Sequence, residues 1–353
     1  MTSALLARES GVEILYGGRE GALEHSLTQN APVTFVPLPG RPVSSSAGAL
    51  RAVTSLLAGL PSAWKLIRRH RPDVLIATGG YVSTALGLAQ EIARRPVLLL
   101  EGNAVPGKTV RLLARGASVV CTAFEAAGRH LPPGKSIVTG FPVRESFSRQ
   151  IEPAAARESF GLRPEAFTLL VVGGSQGAKF LNDSVADIAD ELLDSGVQIL
   201  HQMGPKNDRQ GAGDVRGWVT TGTIEDMPSA FAAADVVLCR AGASTLSEMA
   251  VRGAAAILVP YPFAADDHQH ANAAELEREG RAVLCRQKTT SPGDLMKTIS
   301  DLKDNSAKRQ SLREALRAWG RPRSADEVAG IALQAAAGQF RASRHAAERN
   351  RES

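Results

Sequence analysis

Thr168-Leu-Leu-Val-Val-Gly-Gly-Ser-Gln-Gly-Ala178 is the stretch whose reading decides the fold. Leu169–Val172 is an unbroken apolar run of strand length, which suits a parallel strand buried on both faces. Gly173-Gly174-Ser175-Gln176-Gly177 follows at once, and a helical pattern then runs from Lys179 to Leu193. Glycine permits φ > 0 and close approach of backbone to a ligand. A helix start offers unpaired N–H groups and the positive end of the helix dipole, which together favour an anion. The expected ligand is a nucleotide diphosphate, with the Ser175 hydroxyl as a further donor. A tight turn without a ligand is the plain alternative. The stretch is not a Walker loop, because no Gly-Lys-Ser/Thr follows, nor does it keep the Gly-x-Gly-x-x-Gly spacing of a dinucleotide fingerprint.

Outward from that turn, strand-like and helix-like runs alternate almost throughout. In the second half the strands are expected at Thr168–Val172, Gln198–Gln202, Trp218–Thr220, Val236–Cys239, Ala256–Val259 and Ala282–Cys285. The first half gives Val12–Tyr16, Thr34–Pro37, Val74–Thr78, Val97–Leu100, Ser118–Cys121 and Ser136–Thr139, with helical patterns at Leu50–His70, Thr84–Ala93 and Thr109–Ala114. Such alternation means α/β architecture, with parallel sheets covered by helices on both faces. A chain of 353 residues is long for one core and comfortable for two domains. Pro142, Pro153 and Pro164 mark the break. The expected division is 1–146, 165–322, a helix at 323–340 packing back across both domains, and a disordered tail at 341–353. Two doubly wound domains then face each other across a cleft.

Composition narrows the function classes. Aromatic residues make up 5% of the chain, too few for a single-strand stacking platform, so no nucleic-acid partner is expected. Cys121, Cys239 and Cys285 lie in apolar strand-like runs and read as buried reduced thiols, without disulfide or metal spacing. The start lacks the basic-then-apolar plan of a secretory signal, and no run approaches the roughly 20 apolar residues of a spanning helix. Residues 1–150 hold 17 Lys and Arg against 9 Asp and Glu, a net of +8, whereas residues 151–353 hold 24 against 27. A basic first half by itself suits an anionic lipid, a phosphorylated substrate or nucleic acid, or is simply a solvated basic surface.

A second loop follows the strand Val236–Cys239: Arg240-Ala-Gly-Ala-Ser-Thr-Leu-Ser-Glu248. Its small residues permit close approach, and Thr245 or Ser247 is expected to cap the helix that begins there. Glu248 falls one helical turn beyond Ser244; a carboxylate there can accept two hydrogen bonds at once, as a ribose diol requires, or is simply a first-turn partner of the helix dipole. After Leu258-Val-Pro-Tyr-Pro-Phe263, the residues Asp266, Asp267, His268, Gln269 and Asn272 form a polar cluster. In α/β sheets ligands bind at that strand edge, and hydrogen bonding to a sugar is expected there rather than a metal. Ile224, in Gly222-Thr-Ile-Glu-Asp-Met227, belongs to a third loop at the same edge.

Taken together, Thr78-Gly-Gly-Tyr-Val-Ser83, Glu101-x-Asn103, Gly140-Phe-Pro-Val-Arg144, Val172-Gly-Gly-Ser-Gln-Gly-Ala178, Ile224-Glu-Asp-Met227, Arg240–Glu248 and Asp267-His-Gln-His-Ala-Asn-Ala273 resemble the MurG family, in family order and over residues 4 to 335. Members add N-acetylglucosamine to lipid I to make lipid II in peptidoglycan synthesis. The resemblance implies a GT-B fold, an inverting hexosyltransferase reaction, and UDP-N-acetylglucosamine as a donor substrate with no cofactor or metal. The donor residues it implies are Asn103, Arg144, Ser175, Ile224, Ala243, Ser244, Thr245, Leu246, Ser247, Glu248 and Gln269. Ser175 and its loop would meet the diphosphate, Ile224 the uracil, Glu248 the ribose and Gln269 the sugar hydroxyls. Asn103 and Arg144 would reach across from the first domain. Tyr81 and Ser83 are implied on the acceptor side. The implied partners are lipid I and the anionic surface of the inner membrane, with the protein peripheral on its cytoplasmic face. An apolar set at Val53, Leu56, Leu57 and Leu60 is a candidate membrane contact or, at that helical spacing, core.

The chain departs from the family pattern at its start. The family opens with a strand, Gly-Gly-Thr-Gly-Gly-His and a helix, whereas here Met1–Ser10 reads as the end of that helix and Val12–Tyr16 as the second strand. The expectation is a chain start placed too far downstream, and a first domain lacking its central strand. Around Asn103, Leu100 stands where a His is usual and Gly102 where a Gln is usual. The usual loop His being absent, the catalytic base is unassigned. Two other functions stay open: a UDP-sugar-binding protein without transferase activity, and another UDP-sugar enzyme of GT-B fold such as a 2-epimerase.

Overall fold

The computed structural model describes residues 11–18, 33–38, 49–79, 81–205 and 217–340, and excludes the side chains of 49–58 and of 81–82. The tail at 341–353, Met1–Ser10 and the side chains of Val53, Leu56, Leu57 and Tyr81 therefore lie outside the described residues. In chain order the strands are β1 Leu15–Gly18, β2 Thr34–Pro37, β3 Leu75–Ala77, β4 Val97–Glu101, β5 Val119–Thr122, β6 Ser136–Val138, β7 Thr168–Val172, β8 Gln198–Gln202, β9 Trp218–Thr221, β10 Val236–Cys239, β11 Ala255–Leu258 and β12 Val283–Leu284. The α-helices are α1 Ala49–His70, α2 Tyr81–Ile92, α3 Lys108–Leu113, α4 Pro153–Ser159, α5 Lys179–Asp194, α6 Met227–Ala233, α7 Ala243–Arg252, α8 His268–Arg278, α9 Pro292–Asp304, α10 Ser306–Trp319 and α11 Ser324–Ala336.

The chain divides into two compact units, Met1–Pro142 with Arg323–Ser353, and Val143–Pro322. The boundary at Pro142 moves Arg144 into the second unit, not the first as the sequence suggested. The physical reason is local packing. The Phe147 ring lies 6.0 Å from that of Phe231 on α6, and the Arg252 guanidinium on α7 donates to the carbonyls of Phe147 and Arg149. Pro153, at that break, opens α4, where the first helical position needs no N–H.

The second unit holds a six-stranded parallel sheet in the order β12-β11-β10-β7-β8-β9. Its central strand is β7, the first of the unit, and the chain reverses winding direction between β9 and β10, so the carboxyl ends of β7 and β10 flank a switch point. Leu169 and Val171 of β7 face α5 and α9, meeting Leu181, Val185, Ile188, Leu295 and Ile299 in one buried cluster.

Among the described residues, the strands of the first unit fall into two parallel groups. One pairs β1 with β2 and the other runs β3-β4-β5-β6, both parallel. By analogy with the second unit, β2-β1 matches β9-β8 and β3-β4-β5 matches β10-β11-β12, so the position of β7 has no counterpart among the described residues. Alternate residues of β4 serve opposite faces. Leu98 and Leu100 pack with Val328, Ile331 and Ala332 of α11, while Val97 and Leu99 pack with Val110 and Leu113 of α3. The helix α11 thus packs on the first unit's sheet. Leu60 belongs with the partly buried residues against the α1–α2 core, alongside Ala63, Ile67, Leu86 and Ala89, which removes it from the candidate membrane set. No described helix is long and apolar enough to cross a membrane.

An interrupted sheet loses cross-strand hydrogen bonds that a continuous one keeps, and sub-global opening follows the weaker part. Amide hydrogen exchange is expected to be faster in β1, β2 and β3 than in β7, β8 and β10. Mass spectrometry of peptic fragments checks this, and equal protection of the two sets would refute it.

Candidate active site

Four loops at the carboxyl edge of the second sheet build the site. The first follows β7. Gly174 and Gly177 take φ of +89° and +73°, and the Gly177 N–H closes a turn onto the Gly174 carbonyl at 2.9 Å. Ser175 and Gln176 form the exposed tip of that turn. The helix α5 then starts at Lys179 with no side chain capping its first N–H groups, as an anion-binding helix start requires. Behind the turn, a Cβ on Gly177 would collide with the Met203 carbonyl, and one on Gly204 with the Gln176 carbonyl. Glycine is needed here both for φ and for space.

The second loop follows β10 and enters α7. The expected capping by Thr245 or Ser247 does not occur: the helix begins at Ala243, its N-cap is Gly242, and no side chain caps it. Ser247 is buried and its hydroxyl donates to the Ala243 carbonyl at 3.0 Å. Leu246 is wholly in the core, with its N–H on the Gly242 carbonyl. Both are committed inside the helix, so of the expected set it is Ala243, Ser244, Thr245 and Glu248 that carry accessible surface. The Glu248 carboxylate lies 3.6 Å from the Arg144 guanidinium, which also sits 5.1 Å from the centre of the Phe147 ring. Burial pushes the Glu248 carboxyl above its ordinary value, and the neighbouring Arg144 charge partly opposes that.

Arg240, at the head of this loop, is buried. Its guanidinium donates to the carbonyls of Val259 and Pro260 at 3.0 and 3.2 Å and lies 5.5 Å from the Tyr261 ring centre. Asn272 is fully buried and donates to the Ala241 carbonyl at 3.1 Å. The polar cluster therefore splits: Asn272 fastens α8 to the second loop, whereas Gln269 stays half-buried. Gln269 Oε1 accepts the Tyr261 N–H at 2.9 Å, which fixes the amide and turns its Nε2 the other way. Asp266 and Asp267 both adopt left-handed φ, +50° and +53°, a strained route into α8. In the remaining loop, after β9, Ile224 is buried and Asp226 caps α6 through Ser229.

In the first unit, the Glu101 carboxylate accepts the backbone N–H and the side-chain amide of Asn103, both at 2.9 Å, and the Gly107 N–H at 2.9 Å. Glu101 is thus the anchor of the loop that carries Asn103. Tyr81 and Ser83 lie in the first turn of α2, three residues earlier than the expected helix start. The three thiols are free and buried, and burial raises each above its ordinary value, Cys121 and Cys239 to about 12.

Family models match both units: the Glycosyltransferase family 28 N-terminal domain covers residues 1–122 and the Glycosyltransferase family 28 C-terminal domain residues 168–328. The protein of Moorella thermoacetica named UDP-N-acetylglucosamine--N-acetylmuramyl-(pentapeptide) pyrophosphoryl-undecaprenol N-acetylglucosamine transferase is 37% identical over 341 residues, 92% of this chain and 91% of its own. The chain belongs to the MurG family. A Nitrosococcus oceani protein of the same name is 39% identical over 342 residues, 94% of this chain and 93% of its own. The crystal structure of Acinetobacter baumannii MurG matches with a TM-score of 0.75 at 28% identity, covering 94% of each chain. The MurG match gives the fold its class: GT-B, built from two Rossmann-like α/β domains.

Two residues that the motifs did not single out stand behind the first loop. His201, on β8, is fully buried and its Nε2 lies 3.1 Å from Asn182 Oδ1. Burial depresses the imidazole from 6.5 to about 4. An unfolded His binds its proton below about 6.5, and the folded one only below about 4. Stability is therefore full above the higher value and falls as pH drops from one to the other, by about 3 kcal/mol at most. Acid titration of the second unit's unfolding free energy is expected to show this slope in the wild type and a flatter one in His201→Gln. Parallel curves would refute the assignment.

Proposed function

We propose that this chain transfers N-acetylglucosamine from UDP-N-acetylglucosamine to lipid I, giving lipid II for peptidoglycan synthesis. One observation carries the proposal within a family of this activity. An uncapped helix start behind a glycine turn shares one sheet edge with Glu248, Arg144 and the tethered Gln269. That set suits a diphosphate, a diol and a sugar, which are the three polar parts of the donor.

The N–H groups at the start of α5 and the Ser175 hydroxyl hold the diphosphate. Glu248 accepts from the ribose hydroxyls, and Ala243, Ser244 and Thr245 line the phosphates and sugar. Ile224 has its side chain buried, so the uracil meets its main-chain groups. Gln269 donates through Nε2 to a sugar hydroxyl, and Asn103 is a further donor contact. Tyr81 and Ser83 are assigned to the acceptor. In the reaction the C4 hydroxyl oxygen of the muramyl sugar bonds to the anomeric carbon as the bond to the diphosphate oxygen breaks. The hydroxyl proton passes to a base, and UDP leaves with the electron pair. Backbone N–H groups and the Arg144 guanidinium spread the charge developing on UDP. This single inverting displacement needs neither a covalent nucleophile nor a metal or organic cofactor.

The acceptor is lipid-linked, and the protein is proposed to sit peripherally on the cytoplasmic face of the inner membrane. The net +8 of residues 1–150 favours an anionic leaflet. Ile92 and Leu112 are 60% and 46% exposed large apolar side chains in the first unit, with Arg94, Arg95, Arg111 and Arg115 close by in sequence.

Incubation with labelled UDP-N-acetylglucosamine and a lipid I analogue is expected to yield labelled lipid-linked disaccharide and one UDP per transfer. Donor binding with an unlabelled acceptor, or epimerisation of the donor sugar, would overturn the transferase reading. UDP affinity is expected to weaken on acidification from a pH above the ordinary carboxylate range, because protonated Glu248 loses acceptor capacity. In Glu248→Gln that pH dependence should vanish; its persistence, measured by calorimetry, would remove Glu248 from the ribose site.

A further inference from the structure

The loop at Gly173–Gly177 rests on a wall formed by the Met203–Gly204 peptide, and that wall has its own tether. Asn182 sits on the face of α5 turned to β8 and is almost fully buried. Its Nδ2 donates to the Met203 carbonyl at 3.0 Å, and its Oδ1 lies 3.1 Å from His201 Nε2. The two contacts define each other. Because Nδ2 must donate to a carbonyl, the opposing atom is the acceptor Oδ1, and His201 Nε2 must then carry the hydrogen. The neutral imidazole is locked in one tautomer and the amide in one orientation. The Met203 carbonyl held by Asn182 is the atom that a Cβ on Gly177 would strike. A third contact, from Gln202 Nε2 to the Gly174 carbonyl at 3.4 Å, ties the far side of the turn to the same strand.

We infer that Asn182 is a positioning residue for the diphosphate: through the Met203 carbonyl it sets how deep the glycine turn lies, and so where its N–H groups point. This rests on the donor reading above. A side chain that merely stabilised the core would affect every ligand of the site alike. A side chain that places the turn should affect only ligands carrying the diphosphate. The discriminating quantity is therefore the ratio of UDP to uridine affinity, measured by titration with each compound on the full chain.

For the wild type, UDP is expected to bind far more tightly than uridine; equal affinities would overturn the donor reading itself. For Asn182→Ala, the UDP/uridine ratio is expected to fall about tenfold, the size of one lost buried hydrogen bond, with uridine affinity nearly unchanged. A wild-type ratio in this variant would overturn the positioning role and leave the donor reading intact. Should Asn182→Ala not fold, Asn182→Asp keeps the shape and the acceptor for His201 while removing the amide N–H from Met203. Its ratio is expected to fall as well, and an unchanged ratio there would equally overturn the inference.

Discussion

Two backbones press together behind the glycine turn, and the candidate site depends on that contact. The Gln176 and Gly177 peptides lie against Met203 and Gly204 with no room for a Cβ on either glycine. The turn therefore sits on the end of β8, rather than standing free above the sheet. Close-packed interiors transmit small shifts instead of absorbing them. The depth of the turn is thus set by the register of β7 on β8, which pairs Val172 with Gln202 just before both chains leave the sheet. From there the first turn of α5 inherits its direction, and with it the aim of N–H groups that carry no side-chain cap.

The second loop is held by a different device, a buried cation. Arg240 reaches the Val259 and Pro260 carbonyls with aromatic rings of Phe180 and Tyr261 on its flanks. Burial lowers its pKa, opposing the charged form. Carbonyl oxygens and ring faces solvate a guanidinium without the geometric demand of a carboxylate, and its weak hydration makes the desolvation tolerable. The contact joins three elements, since Phe180 opens α5, Arg240 follows β10 and Tyr261 follows β11. Asn272 adds a fourth, α8, through the Ala241 carbonyl. The loops proposed to hold diphosphate, ribose and sugar thus share one polar scaffold.

What the sequence could and could not reveal follows from the range of each interaction. Apolar strand runs bounded by Gly or Pro are local signals, and Thr168–Val172, Gln198–Gln202 and Val236–Cys239 form strands at the expected bounds. Strand ends with few ladder partners shifted, as at β12, reduced to Val283–Leu284. Helix starts misled where small residues begin the helix: α7 opens on Ala243 beneath Gly242, so neither Thr245 nor Ser247 had a cap to make. Whether Asn272 faces ligand or core is decided by its partner Ala241, and which unit Arg144 joins by the packing of Phe147 on Phe231 and Arg252, which no local pattern encodes. The pairing of His201 with Asn182 is hidden from the sequence for the same reason. Asn182 lies within the polar run Asn182-Asp183-Ser184 and His201 beside Gln202, and only the fold brings the two together.

The first unit closes by a longer route than the second. Its sheet is in two pieces among the described residues, and one face of β4, β5 and β6 is covered by α11, which follows the whole second unit in the chain. Until Ser324–Ala336 docks, Leu98, Leu100, Val119 and Ile137 lack their buried neighbours. The entropy of closing so long a loop grows only slowly with its length. The second unit's core lies on one stretch of chain and needs no such closure, whereas the first unit's core needs both of its segments. That division fits the distribution of function proposed here, with the unit encoded on one stretch of chain holding the nucleotide sugar, whose geometry tolerates little error.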